Sequence, residues 1–166
     1  MRKKTKENKR YGLLVICLLI TYSLGIFGGL FTSSGVQSEW YMKIKPEITP
    51  PGWMFGVVWN ILFLLMGISL WLVWKSSYGS YKKWIVIVYG INFLTNFLWN
   101  VFFFGQNNAL LGFVDIIIVG LSVIGMMVVA WRVSRKASWI LLPYLIWIII
   151  AGWLNWQSLV NFYALA

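Results

Sequence analysis

Between Tyr11 and Ser38 the chain carries no charged side chain, and four further stretches of similar length and apolarity follow. About 20 apolar residues in helical form cover the hydrocarbon thickness of a bilayer. Each run is therefore read as a membrane span, at about residues 11–32, 51–74, 83–104, 107–131 and 138–163. The uncharged interval from Trp84 to Val114 is too long for one span, and Gly105, Gln106, Asn107 and Asn108 supply the turn that divides it. Composition agrees: 60% of residues are apolar and 11% charged, where soluble domains carry about 25% charged residues. A soluble core at this length cannot hide so much apolar surface, whereas lipid solvates it directly. The expected fold is all-α, a single domain over 1–166 built as a polytopic membrane bundle of five transmembrane helices.

All but two of the 14 basic residues fall into three clusters that flank apolar runs. Arg2, Lys3, Lys4, Lys6, Lys9 and Arg10 precede the first run, Lys75, Lys82 and Lys83 follow the second, and Arg132, Arg135 and Lys136 follow the fourth. Lysine and arginine concentrate in cytoplasmic loops, so this alternation predicts a multi-pass protein of the cell membrane with its N-terminus cytoplasmic and its C-terminus extracytoplasmic. The first loop, 33–50, then lies outside. A cleaved signal peptide fits less well: the first run outlasts the usual ~7–15-residue apolar region, and no small-x-small cleavage site follows it.

The same clustering argues against nucleic acid as the partner of a chain with net charge +10, because such binding interleaves basic residues with aromatics along one face. Cys17 is the only cysteine and lies inside an apolar run, and histidine is absent. No intrachain disulfide, cysteine or histidine metal site, or histidine-based catalysis is therefore expected. No catalytic residue is nominated, no paired acid and base is visible, and a conventional enzyme is not expected.

The one long break in the apolar pattern runs from Trp40 to Trp59. Pro46, Pro50 and Pro51, with Lys43, Lys45 and Glu47, force its first half out of regular structure. Its second half enters a helix whose first turn tolerates Pro50 and Pro51. Along that helix Phe55, Trp59, Phe63 and Met66 share a face, as a ligand wall or as packing against lipid or core. Gly52 and Gly56, like Gly25 and Gly29 in the first span, are expected to let helices approach closely.

The third span carries Asn92, Asn96 and Asn100 one turn apart, with Tyr89 and Trp99 near the same face. Unpaired amides facing lipid cost several kcal/mol, so these point inward, to line a pocket or to bond between helices. The fifth span repeats the pattern with Tyr144, Trp147, Ala151, Asn155 and Ser158, while Trp139, Trp153 and Trp156 suit interfacial belts. Asp115, the one acid away from the loops, sits roughly 12 Å into the fourth helix and is either a neutral acid in a structural hydrogen bond or part of a functional polar site with Asn155.

These residues together resemble the TspO/MBR family, the translocator proteins or tryptophan-rich sensory proteins, also called peripheral-type benzodiazepine receptors. Trp40 and Tyr41, then Lys45, Pro46, Pro50, Pro51, Trp53, Phe55 and Trp59, are similar to the family's first-loop and second-helix signature. Asn92, Asn96 and Trp99 resemble its third-helix pattern, and Pro143, Tyr144, Trp147, Ala151, Leu154 and Asn155 its fifth-helix pattern. The chain has Ile48 where the family often has tryptophan, and no basic residue follows Tyr163, so the sterol-recognition motif of animal members is missing there. Leu72, Tyr78 and Lys82 match that loose pattern elsewhere, at a loop. A bacterial-type member is implied.

The resemblance implies a five-helix bundle, often a homodimer, with a cavity near the first loop that takes tetrapyrroles such as protoporphyrin IX and benzodiazepine-type ligands. Carried over residue by residue, the ligand-binding positions are Tyr41, Trp59, Phe63, Asn92, Asn96, Trp99, Trp147 and Ala151. Trp40, Pro46, Pro50 and Pro51 would form a lid, whose loosening is expected to change ligand rates more than stability. The expected function is that of a membrane porphyrin-binding sensor or translocator, with porphyrin as ligand and no obligatory cofactor or metal. Light-dependent porphyrin degradation, and a small transporter or scaffold for another lipophilic molecule, are the alternatives.

Overall fold

The computed structural model describes residues 2–77, 79 and 81–165, with side chains from residue 11 onward. The side chains of the N-terminal basic cluster, and Tyr78 of the loose sterol pattern, lie outside the described residues. The elements are α1 (Arg2–Gly35), α2 (Glu39–Ile44), α3 (Gly52–Ser76), α4 (Tyr81–Asn100) continuing into a π-helical turn (Val101–Gly105), α5 (Ala109–Val133), α6 (Arg135–Ile140) and α7 (Leu142–Leu165). No strand occurs among the described residues. Five stretches are helical, long and apolar enough to cross a membrane: Tyr11–Gly35, Gly52–Ser76, Tyr81–Gly105, Ala109–Val133 and Arg135–Leu165.

Local chemistry sets the boundaries, and it revises three expectations. The first half of the proline-broken stretch is not irregular, because residues 39–44 form α2. The prolines begin only at Pro46, and the Ser38 hydroxyl caps the helix by accepting the Tyr41 N–H at 3.1 Å. The third span does not stay α-helical to its end. Gln106 N–H reaches back to the Val101 carbonyl at 2.8 Å, five residues away, and the widened turn carries both Phe103 and Phe104 inward. The chain then reverses at Asn107, whose φ of 50° suits asparagine, and Asn108 caps α5 by accepting the Leu111 N–H. The last span is broken at Leu141, just before Pro143, which has no N–H to continue α6 and is accommodated in the first turn of α7.

The bundle is solid at one end. Val73, Ile85, Val123, Met126, Ala130, Ala137 and Leu141 are fully buried there. Ser69 pins three elements: it donates to the Ala137 carbonyl at 2.9 Å and lies 2.7 Å from the Tyr89 hydroxyl, tying α3 to α6 and α4. Lys75, Lys82 and Arg135 at this end lie over the rings of Trp71, Trp74 and Trp131, an arrangement suited to a membrane interface. Helices α1 and α3 meet closely at Gly67, where a Cβ would stand 2.7 Å from Leu18 Cδ2 and 3.2 Å from Leu18 Cα.

Toward α2 the bundle opens. Close backbone approaches between α3 and α7 are few at most, and rings span the gap, with Phe55 and Trp147 at 5.5 Å and Trp59 and Tyr144 at 6.2 Å. The contact at Gly67 gives a direct test of the solid end. Gly67→Ala should lower thermal stability in detergent, overpacking costing ~1–3 kcal/mol. Gly152→Ala, where a Cβ meets nothing within 4 Å, should leave the melting temperature level or raise it, since alanine is the better helix former.

Candidate functional site

The hollow half of the bundle encloses a cavity of about 590 Å³, within the range of roughly 300–1,000 Å³ typical of small-molecule sites. Its walls are aromatic, supplied by α3, α7 and α4 with its π-helical turn. Phe55, Trp59 and Phe63 come from one face of α3, as their spacing predicts, and Trp147, Ala151 and Asn155 from the facing side of α7. Asn96, Trp99 and Asn100 enter from α4, with Phe103 and Phe104 from the π-helical turn below α2. Trp99 and Phe103 stack at 5.2 Å with 10° between their planes. That parallel pairing is of residues four apart across the start of the π turn.

The roof is α2 and the loop after it. Tyr41 packs edge-on against Phe103 and Phe104, Trp40 against Phe103, and Ile44 is 2% exposed. The Asn161 amide donates to the Ile44 carbonyl at 3.1 Å, fastening α2 to α7. Burial raises the Tyr41 phenol above its ordinary pKa, so it persists as a neutral O–H donor beside the cavity. Pro46 and Thr49 also line the roof, whereas Trp40, Pro50 and Pro51 do not reach the cavity.

Of the eight ligand positions carried over from the family, seven line this cavity: Tyr41, Trp59, Phe63, Asn96, Trp99, Trp147 and Ala151. Asn92 is the exception. It is fully buried, donates to the Ser122 hydroxyl at 2.8 Å and accepts from the Tyr144 hydroxyl at 3.3 Å, so its amide is consumed between helices. Tyr144 likewise faces that network rather than the cavity, and Met66 is 1% exposed in the core. Asn155 does line the cavity, accepting the Trp99 indole N–H at 3.0 Å. Asp115 does not. It is 4% exposed on α5, outside the cavity wall, and its Oδ2 has no partner among the described residues.

Phe103, Phe104, Thr32 and Asn60 are among the lining residues that escaped the sequence reading. Phe103 and Phe104 sit 100° apart on a regular helix, and only the π turn brings both inward. Thr32 donates to Asn100 Oδ1 at 2.6 Å, and its signal was a hydroxyl one turn from Gly28, where a Cβ would stand 2.8 Å from the Asn100 amide. Asn60 was legible as a lone amide within the otherwise apolar middle of the second span.

Polar atoms left for a ligand are few. Asn96 Oδ1 accepts no bond from the described residues once its amide has donated to Tyr144 at 2.7 Å, whereas the Trp147 indole N–H, without an acceptor among the described residues, is fully buried and offers no surface to the cavity. Among the described residues no cluster of His, Cys, Asp or Glu could hold a metal ion. The lone carboxyl is a stability question: because a buried acid with an unpartnered oxygen costs ~1–3 kcal/mol, Asp115→Leu should melt at or above the wild-type temperature. A drop of several degrees would show that the carboxyl has a bonding partner.

The sequence model of the TspO/MBR family matches residues 16–160. The tryptophan-rich protein TspO of Archaeoglobus fulgidus is 40% identical over 143 residues, covering 86% of this chain and 92% of that protein. The protein of the same name from Chlorobaculum tepidum is 34% identical over 92% of this chain and 97% of its own length. The human translocator protein is 34% identical over 81% of both chains. A family match spanning all five membrane helices, with relatives aligned over most of their lengths, establishes that this chain is a multi-pass membrane protein of the TspO/MBR family.

Proposed function

We propose that the cavity binds a flat, mostly apolar ligand of the tetrapyrrole class, with protoporphyrin IX as the type molecule, and that the protein serves as a sensor or translocator for it. The observation that carries this reading is the convergence of rings on one cavity. Phe55, Trp59 and Trp147 line it together with the stacked Trp99 and Phe103, and planar macrocycles gain most where several π faces converge. The polar edge of such a ligand meets the Tyr41 hydroxyl and Asn96 Oδ1. Smaller aromatic ligands of the benzodiazepine type suit the same walls. Family membership supports the coarser half of the reading, a membrane sensor or translocator.

The basic clusters support an orientation with Lys75, Lys82, Lys83, Arg132, Arg135 and Lys136 in the cytoplasm and α2 on the outer face. A homodimer in the cell membrane belongs to the same reading.

Titration of the purified protein with protoporphyrin IX, followed by tryptophan quenching, tests the site. Trp59→Ala and Trp147→Ala should each weaken binding about tenfold, as loss of one stacking wall is worth ~1–1.5 kcal/mol beyond buried area. Unchanged affinity in both variants would remove the cavity from consideration.

A further inference from the structure

The lining residues of α2 and the loop after it, and those toward the solid end, are buried or half-buried, so the exposed lining lies on one side of the cavity. Every cavity-lining residue that is exposed belongs to α1, the segment just after it, or α3: Ile26, Ser33, Val36, Gly52, Gly56 and Asn60. Those from α4, the π turn, α5 and α7 are buried or half-buried. The opening is therefore one lateral slot between α1 and α3 in the half of the membrane nearest α2.

Its shape follows from where α1 finds its seats. Near mid-membrane α1 touches α3, with a Cβ at Gly25 meeting Phe63 at 2.6 Å and the Tyr22 hydroxyl donating to the Asn60 carbonyl at 3.0 Å. Beyond that tie α1 leans onto α4 and the π turn instead, where a Cβ at Gly28 would meet Asn100 at 2.8 Å and one at Gly35 would run into the Phe104 side chain. It leaves α3 behind. Gly29, Gly52 and Gly56 were expected to be helix-packing glycines, yet a Cβ at any of them meets nothing within 4 Å. These glycines line the gap rather than close it. From Asn60 to Gly52 the slot is roughly 12 Å tall at 1.5 Å per residue.

Two further features fit passage through this wall. The roof is fastened by Ile44, the Asn161 amide and the Trp40 and Tyr41 rings. At the sill, Asn60 is exposed where hydrocarbon lies, its amide N–H₂ donates only to the Gly56 carbonyl at 2.8 Å, and its Oδ1 accepts nothing from the described residues. A lipid-facing amide is costly, and there it offers an acceptor to a ligand crossing into the cavity.

We infer that the cavity is loaded from the bilayer, by a flat lipophilic molecule sliding between α1 and α3 over Asn60, and not from water through the α2 roof. The slot rests on the reading that the cavity takes a lipophilic ligand, so its test has an arm that needs none. In lipid vesicles, a nitroxide at Gly56→Cys in a Cys17→Ala background should collide more with lipid-soluble oxygen than with a water-soluble nickel chelate. The reverse order, or protection from both, would overturn the slot. In the second arm, stopped-flow quenching by protoporphyrin IX in detergent is measured for Gly56→Phe and, from the opposite wall, Gly29→Phe. Each should slow association and dissociation together by about tenfold, with affinity moving less than about threefold, as expected of a gate. The Pro50→Ala/Pro51→Ala double variant should leave both rates within about twofold, contrary to the lid expectation. Unslowed exchange in both phenylalanine variants would sink the inference. Oxygen-dominated collisions in a protein that binds no protoporphyrin would instead overturn the tetrapyrrole reading and leave the slot in place for another lipophile.

Discussion

One directed chain of hydrogen bonds holds the three helices behind the cavity in register. The Asn96 amide donates to the Tyr144 oxygen, the Tyr144 hydroxyl donates to Asn92 Oδ1, the Asn92 amide donates to the Ser122 hydroxyl, and Ser122 donates to the Val119 carbonyl. Each hydroxyl has one proton, so the direction of every link is fixed by the next. In hydrocarbon no water can take over a broken link, and α4, α5 and α7 are therefore locked at one rotation. That rotation aims Trp99 and Trp147 at the same space, and within this hydrogen-bond network it leaves Asn96 Oδ1 without a donor among the described residues.

Glycines set the other side of the bundle, and they do so in two opposed ways. At Gly67, Gly25, Gly28 and Gly35 the missing side chain is occupied by a neighbour, so α1 sits against α3 first and then against α4 and the π turn. At Gly29, Gly52 and Gly56 it is occupied by nothing. Van der Waals contact is a main source of helix association in lipid, and α1 follows its contacts. It cannot follow two diverging neighbours at once, and the slot is the wedge between them.

Span number and length were legible because the physical requirement is crude: enough apolar residues to cross, and charge to stop. The inward faces of α3 and α7 were legible for the same kind of reason, since Phe55, Trp59 and Phe63, or Trp147, Ala151 and Asn155, repeat at helical spacing. What failed needed knowledge of the neighbour. Asn92 and Asn96 sit one turn apart with identical side chains, and only the position of Tyr144 and Ser122 decides that the first is consumed and the second partly spared. A Gly-x-x-x-Gly pair reads the same whether a partner helix lies over it, and Gly52 and Gly56 have none. The π turn at Val101–Gly105 and the break at Leu141 change the phase of a helix without changing its hydropathy, so periodicity passed over both. The α2 helix was hidden by the prolines that follow it, although its Ser38 cap was visible.

The division into a solid end and a hollow end has an energetic consequence that ties slot to cavity. A sealed void of about 590 Å³ would cost on the order of 14 kcal/mol at ~24 cal/mol per Å³, as much as the whole stability of a typical domain, ~5–15 kcal/mol. The tightly packed residues around Val73, Ile85, Val123 and Met126 cannot offset a loss of that size and also hold the fold. An opening toward lipid removes the conflict, because acyl chains that lie against α1 and α3 can fill the space when no ligand does. On the proposed reading, the ligand displaces a fluid hydrocarbon chain rather than ordered water, so hydrophobic transfer contributes little to its affinity. Selectivity on that reading comes from what lipid cannot supply: ring faces from Trp59, Trp99 and Trp147, and the few polar atoms of Tyr41, Asn60 and Asn96.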